Sequence, residues 1–286
     1  MCRCRLALAI FGLLVTACSN PPPGFVEDSW DGPKGTLLEV FRDDFDGPAG
    51  SAPDPGFWNV LDKEMNWNDE LQHYTQERKN SYLDGQGNLV IEAHQETYVR
   101  PDGTPSSKAY TSARLETYGL VEQQYGRFEA RIWLPRGKGI WPAFWLLSNN
   151  YHEVGWPDCG EVDILELAGS RAHKINGSMH GPGYSGSFAL SRSYELASGT
   201  FNDGFHVFAI EWAPDGMRWL VDEQPFHART PAGLTQADIP WVFDRPMYMI
   251  LNLAIGGIYD GDPDETTVFP ARIVVDYVRV FALSTP

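Results

Sequence analysis

The sequence predicts an all-β fold, an antiparallel β-sandwich of jelly-roll type in which one sheet curves away from the other to leave a groove. Three observations lead there. Apolar residues recur with period two in short runs, and the runs are separated by clusters of Gly, Pro, Asn and Asp. No long stretch carries the helical period. Strands do not alternate with helices, which argues against a doubly wound parallel sheet or a (β/α) barrel. No self-similar segment of roughly 20–50 residues marks a propeller or solenoid. A single body of about 250 residues remains, which suits one sandwich.

The chain opens with Arg3 and Arg5 before an apolar run of 12 residues, Leu6 to Ala17. That is shorter than the ~20 residues of a membrane-spanning helix and reads as an export signal. The run ends Leu14-Val-Thr-Ala-Cys18, which resembles a bacterial lipobox. The resemblance implies removal of residues 1–17 and a lipid on Cys18, hence an exported protein anchored in the cell envelope, or a secreted one if cleavage is ordinary. Residues 18–36 are rich in Pro and Gly and read as a tether, and 37–286 form the folded domain.

Within that domain, Arg127–Leu134 alternates cleanly, with Phe128, Ala130, Ile132 and Leu134 on one face. Strands are also expected over Asn88–His94, Ala143–Leu147, Glu161–Leu167, Phe205–Trp212, Met217–Asp222, Met247–Ala254 and Arg272–Phe281. Turns fall at Leu83–Gly87 and Gly256–Pro263.

Charge narrows the function. Lys and Arg number 22 against 38 Asp and Glu, a net −16 with pI near 4.7. Such a surface repels phosphate backbones and anionic lipid, so no nucleic-acid partner is expected and the membrane is met only through the N-terminal lipid. Cys2 and Cys4 leave with the signal and Cys18 carries lipid, so Cys159 has no disulfide partner and reads as a buried thiol.

The informative segment is Trp156-Pro-Asp-Cys-Gly-Glu161-Val-Asp163-Ile-Leu-Glu166. Three carboxylates interrupt a run of Val, Ile and Leu that otherwise reads as a buried strand, and their burial is costly unless they line a cleft. Glu161 and Asp163 share a face by the two-residue period, whereas Glu166 would point away. A one-residue bulge between Asp163 and Glu166 turns it back beside the other two. Paired carboxylates of that kind perform glycoside hydrolysis, one as nucleophile and the other as proton donor.

The same segment resembles the signature of glycoside hydrolase family 16, in the laminarinase-like (endo-β-1,3-glucanase) branch. Further stretches agree in order: Trp67–Thr75, Tyr110–Leu115, Tyr125–Arg131, Gly139–Leu147, Ser178–Gly186, Phe205–Trp212 and Val275–Val280. Asp158 departs from the small residue usual there, and Asn68-Asp69 from a Gly-Asn or Asn-Asn pair. The resemblance implies a retaining endo-hydrolase with Glu161 as nucleophile, Glu166 as acid/base and Asp163 as assisting acid. It implies hydrogen bonding to glucose hydroxyls by Asn68 and Arg114. Trp141, Trp145 and Trp156 are candidates to stack on sugar rings, with Trp145 open to a core role instead. His180 either binds sugar, bonds Asp163, or serves structure alone. Many family members carry a structural calcium ion remote from the chemistry; Asp276 and the Gly85 carbonyl match its surroundings, and an N-terminal carboxylate such as Asp44 would complete the set. Asp276 interrupts an apolar strand and needs a cation or donors.

The reaction needs no cofactor. The expected partner is a β-glucan polysaccharide, met by a monomer. Open alternatives are another β-glycan (mixed-linkage glucan or algal galactan), transglycosylation, and a non-catalytic β-glucan-binding lipoprotein, which the presence of both Glu161 and Glu166 disfavours.

Overall fold

The computed structural model describes residues 29–234 and 239–284. The signal segment, Cys18 and most of the tether lie outside the described residues. Two eight-stranded antiparallel sheets face each other. The first holds β1 (Thr36–Asp43), β5 (Ser81–Leu83), β6 (Leu89–Ala93), β10 (Gly126–Trp133), β15 (His206–Ala213), β16 (Gly216–Val221), β17 (Gln224–Arg229) and β19 (Ala271–Ser284). The second holds β2 (Asn59–Val60), β8 (Arg114–Glu116), β9 (Glu122–Gln123), β11 (Ile140–Ser148), β12 (Glu161–Leu167), β13 (Lys174–His180), β14 (Leu190–Glu195) and β18 (Met247–Ile255). A small third sheet joins β3 (Lys63–Glu64), β4 (Gln72–Tyr74) and β7 (Tyr110–Ser112). The only described α-helix is the single turn Tyr151–Val154, so the expected all-β sandwich is what forms.

The period-two pattern explains the core. Phe128, Ala130 and Ile132 of β10 point inward and meet Val162 and Leu165 of β12 and Met249, Leu251 and Leu253 of β18, all buried. Burying each of the larger of these side chains is worth roughly 1.5–3 kcal/mol. β18 is buried along its whole length because its outer face is covered too. There Tyr248 and Ile250 pack with Leu147 and Cys159 in a second small cluster under Trp145 and Tyr151. Cys159 is thus the buried thiol expected, and burial beside Glu161 pushes it up to about 12.

The expected strands match β6, β10, β11, β12, β15, β16, β18 and β19 to within a few residues at their ends. Residues 29–36 are less free than a tether. The Trp30 ring lies against Gly216, and Asp31 accepts a hydrogen bond from Arg218 through its carbonyl. β1 then pairs with the end of β19.

Candidate active site

The acids sit where two neighbours register the same irregularity. β12 pairs Asp163 with Ser178 and Glu166 with Asn176, so Ile164 and Leu165 together oppose the single residue Gly177. Against β11, Trp145 faces Asp163 while Phe144 faces Leu165. The extra residue is the bulge that the carboxylate spacing predicts. Ile164 and Leu165 both enter the core, and Glu161, Asp163 and Glu166 share the outer face.

Cross-strand partners complete that face. His180 pairs with Glu161, Ser178 with Asp163 and Asn176 with Glu166. His180 Nε2 lies 3.0 Å from Asp163 Oδ2 and 3.6 Å from Glu161 Oε1. Its Nδ1 accepts the Gly186 N–H at 3.2 Å. With Nδ1 committed as acceptor, the ring hydrogen belongs on Nε2, aimed at the two carboxylates. Ligand atoms of Glu161, Asp163 and His180 lie within 4.8 Å of one another, a spacing open to a cation. The tautomer instead makes His180 a donor, and the cluster is a hydrogen-bonded array.

Burial holds all three carboxyl groups far above the usual carboxylate range, each up to about 8. Repulsion from Asp163 raises Glu161 and Glu166 further. His180 opposes the rise at both, and the Trp141 hydrogen bond opposes it at Glu166. Trp141 Nε1 donates to Glu166 Oε1 at 3.1 Å, leaving Oε2 to carry a proton. The imidazole N–H sits at the Glu161–Asp163 end, so negative charge is best held there and a proton at Glu166. One carboxylate poised to attack and one acid poised to donate is the division of labour that glycoside cleavage requires.

Of the other expected residues, Trp141, Trp145, Trp156 and Arg114 lie around this array, and Asn68 lies beside Glu70. Arg114 is buried, its guanidinium 4.8 Å over the Trp145 ring and 3.2 Å from Glu116. Trp145 is half-buried on the acid side of the sheet, and Nε1 donates to Asn252 Oδ1 at 2.7 Å. Trp141 stacks on Tyr259 at 4.7 Å. Trp156 is 46% exposed with its ring 5.9 Å from His180, a free apolar face beside the acids. Asn68 stands in the left-handed region at φ 53° and donates to Glu70 Oε1 at 3.3 Å.

Asp276, Asp44 and Gly85 lie elsewhere, on or beside the first sheet. Asp276, expected to need a cation or donors, has a donor and is less buried than its strand suggests: its side chain is 35% exposed and ion-paired with Arg131 across the β10–β19 ladder. Asp44 pairs with Arg42 at 3.4 Å and Arg279 at 3.6 Å. A cation binding there has to draw these carboxylates away from guanidinium groups.

Several residues of the site escaped the sequence reading. Asn252 bridges Trp145 and Tyr74, whose Oη accepts from Asn252 Nδ2 at 3.1 Å. Glu70 is buried, held by Asn68 and by Gln72 at 2.6 Å, and burial raises its pKa. Tyr259 accepts from Asn176 at 2.8 Å beneath Trp141. The signal for Asn252 was present, one amide inside the apolar run Met247–Ile255, and buried amides need partners.

Two shallow surface depressions lie off this face. One is lined by Trp30, Arg218 and His227, the other by Asp43, Phe45 and Leu83.

Comparison with known proteins identifies the family of the chain. The family model for glycosyl hydrolases family 16 matches residues 63–279. A β-glucanase of Rhodothermus marinus is 39% identical over 249 residues, covering 85% of this chain and 84% of that one. A glucan endo-1,3-β-glucosidase of Cryptopygus antarcticus is 36% identical, covering 94% and 96%. Among solved structures, the endo-β-1,3-glucanase of Pyrococcus furiosus superposes with a TM-score of 0.82 at 43% identity, covering 93% of this chain and all of that one.

Proposed function

The chain belongs to glycosyl hydrolases family 16, and from that premise we propose that it is a retaining endo-hydrolase of laminarin-like β-1,3-glucan. The observation that carries the reading is the bulged strand with three carboxyl groups on one face, Asp163 buried and Glu161 and Glu166 half-buried, and the His180 N–H at one end. Glu161 attacks the anomeric carbon while protonated Glu166 delivers its proton to the leaving oxygen. Glu166, then a carboxylate, takes a proton from water, which opens the glycosyl-enzyme ester. Asp163 shares the His180 hydrogen and moderates the charge on Glu161. Trp156 offers a flat face for a sugar ring, and the Arg114–Trp145 pair offers guanidinium donors over an aromatic plane.

Two displacements at one carbon restore its configuration, so a β-linked glucan should first release the β-anomer. Proton NMR of the earliest products, recorded before mutarotation, decides this. An initial α-anomer overturns both role assignments. The same residues would serve another β-glycan or transfer to a sugar hydroxyl, and product analysis on a panel of β-glucans separates these outcomes.

The lipobox-like segment supports export and lipidation at Cys18. Gly87 of the Asp84–Asn88 turn lies beside the Asp44 carbonyl and the Asp46 carboxylate, and Asp276 is on the same sheet, which supports a structural calcium ion held by Asp276, Asp44 and the Gly85 carbonyl. Such an ion would brace the loops without touching the acids. The enzyme acts as a monomer on its polymer.

A further inference from the structure

A bulge interrupts the backbone ladder, and the groups it strands need other partners. At the bulge of β12, a hydrogen bond reaches the backbone from the opposite sheet. Trp219 of β16 is fully buried, and its Nε1 donates to the Asp163 carbonyl at 2.8 Å. The indole reaches that carbonyl because the residue facing the bulge has no side chain. A Cβ on Gly177 would lie 2.6 Å from Trp219 Cδ1, the ring atom bonded to Nε1, and 3.0 Å from Phe226. The φ of Gly177 is not in the left-handed region, so the space for the indole is what demands glycine there.

We infer that Trp219 and Gly177 form a positioning device for the acids: the indole N–H holds the bulge at Asp163, and the bulge keeps Glu166 on the face of Glu161. Neither residue touches substrate. If the hydrogen bond is lost, a buried carbonyl is left unsatisfied, and the register between Asp163 and Glu166 is free to relax toward the regular pairing that turns Glu166 away. Misplacement of a reacting group by about 1 Å can cost on the order of 100-fold in rate.

The inference rests on the proposed hydrolysis of β-1,3-glucan and has its own test. Trp219→Phe keeps a buried ring and removes the N–H. Trp212→Phe is the control, since Trp212 is equally buried but donates to the Phe243 carbonyl at 3.2 Å, away from β12. Kinetics on laminarin are measured below the melting onset of each variant. Trp219→Phe should lower kcat by about 10–100-fold with KM within about twofold, and narrow the pH profile of kcat. Trp212→Phe should lose comparable thermal stability with kcat nearly unchanged. Gly177→Ala, which displaces the indole, should reproduce the kcat loss, and the double variant with Trp219→Phe should be no slower than the slower single. If Trp219→Phe does not fold, Gly177→Ala decides alone by the same split of kcat and KM. Equal kcat losses in Trp219→Phe and Trp212→Phe, or full kcat in Gly177→Ala, overturn the inference. An inactive wild type on every β-glucan instead overturns the function on which it rests.

Discussion

Removing one carboxyl from the array should stabilise the protein, and more so as the pH rises. Glu161 shifts from 4.5 to about 8 in the folded chain, chiefly through burial and then repulsion from Asp163. A carboxyl raised in this way binds more protons folded than unfolded between those values, so stability is fully present below about pH 4.5 and is lost as the pH climbs toward 8. At about 1.4 kcal/mol per pH unit, a lone group with this shift loses about 3 kcal/mol between pH 5 and pH 7.5. That is an upper figure, because Asp163 and Glu166 retain protons in the same interval and share the burden. Glu161→Gln keeps an acceptor for the His180 N–H and cannot ionise. Its melting temperature should therefore exceed that of the wild type by more at pH 7.5 than at pH 5. With ~2–4 °C per kcal/mol for a domain of this size, the difference of differences is up to about 12 °C. Calorimetry at matched ionic strength measures it, with Glu153→Gln, an exposed carboxyl, as the reference for general charge repulsion. An equal gain at both pH values, or a loss at pH 7.5, refutes the account of the array.

The calcium proposal predicts that chelation lowers the melting temperature of the wild type by several degrees and leaves Asp276→Ala nearly unmoved. If neither protein responds, the Asp276–Arg131 ion pair is the whole of that site. Lipidation at Cys18 predicts an acylated mature N-terminus, with release of soluble protein or accumulation of precursor in Cys18→Ser. An unmodified N-terminus at another position, read by intact-mass spectrometry, excludes it.

The chain's own order determined the sandwich and the chemistry of the site. Alternation over residues 127–134 and the apolar runs around it mark the central strands, because a two-residue period buries one face only. Three acids inside Glu161–Leu167 mark both a cleft and a bulge, since no regular strand brings all three to one face. Strands such as β13 and β14 stayed hidden because their outward residues, Asn176, Ser178, Ser191 and Ser193, hydrogen-bond one another across the pair and dilute the apolar signal. What the tertiary structure alone decided are the partners. Asp276 reads in sequence as a carboxylate that needs a cation or donors, and the donor is Arg131, 145 positions away. Gly186 sets the tautomer of His180, Asn252 anchors Trp145, and Trp219 grips the Asp163 carbonyl across 56 positions. Periodicity is local and survives in the order of residues. A hydrogen bond to a bulged backbone or a ring nitrogen depends on which strands the two sheets bring within 3 Å, and no local pattern encodes that distance.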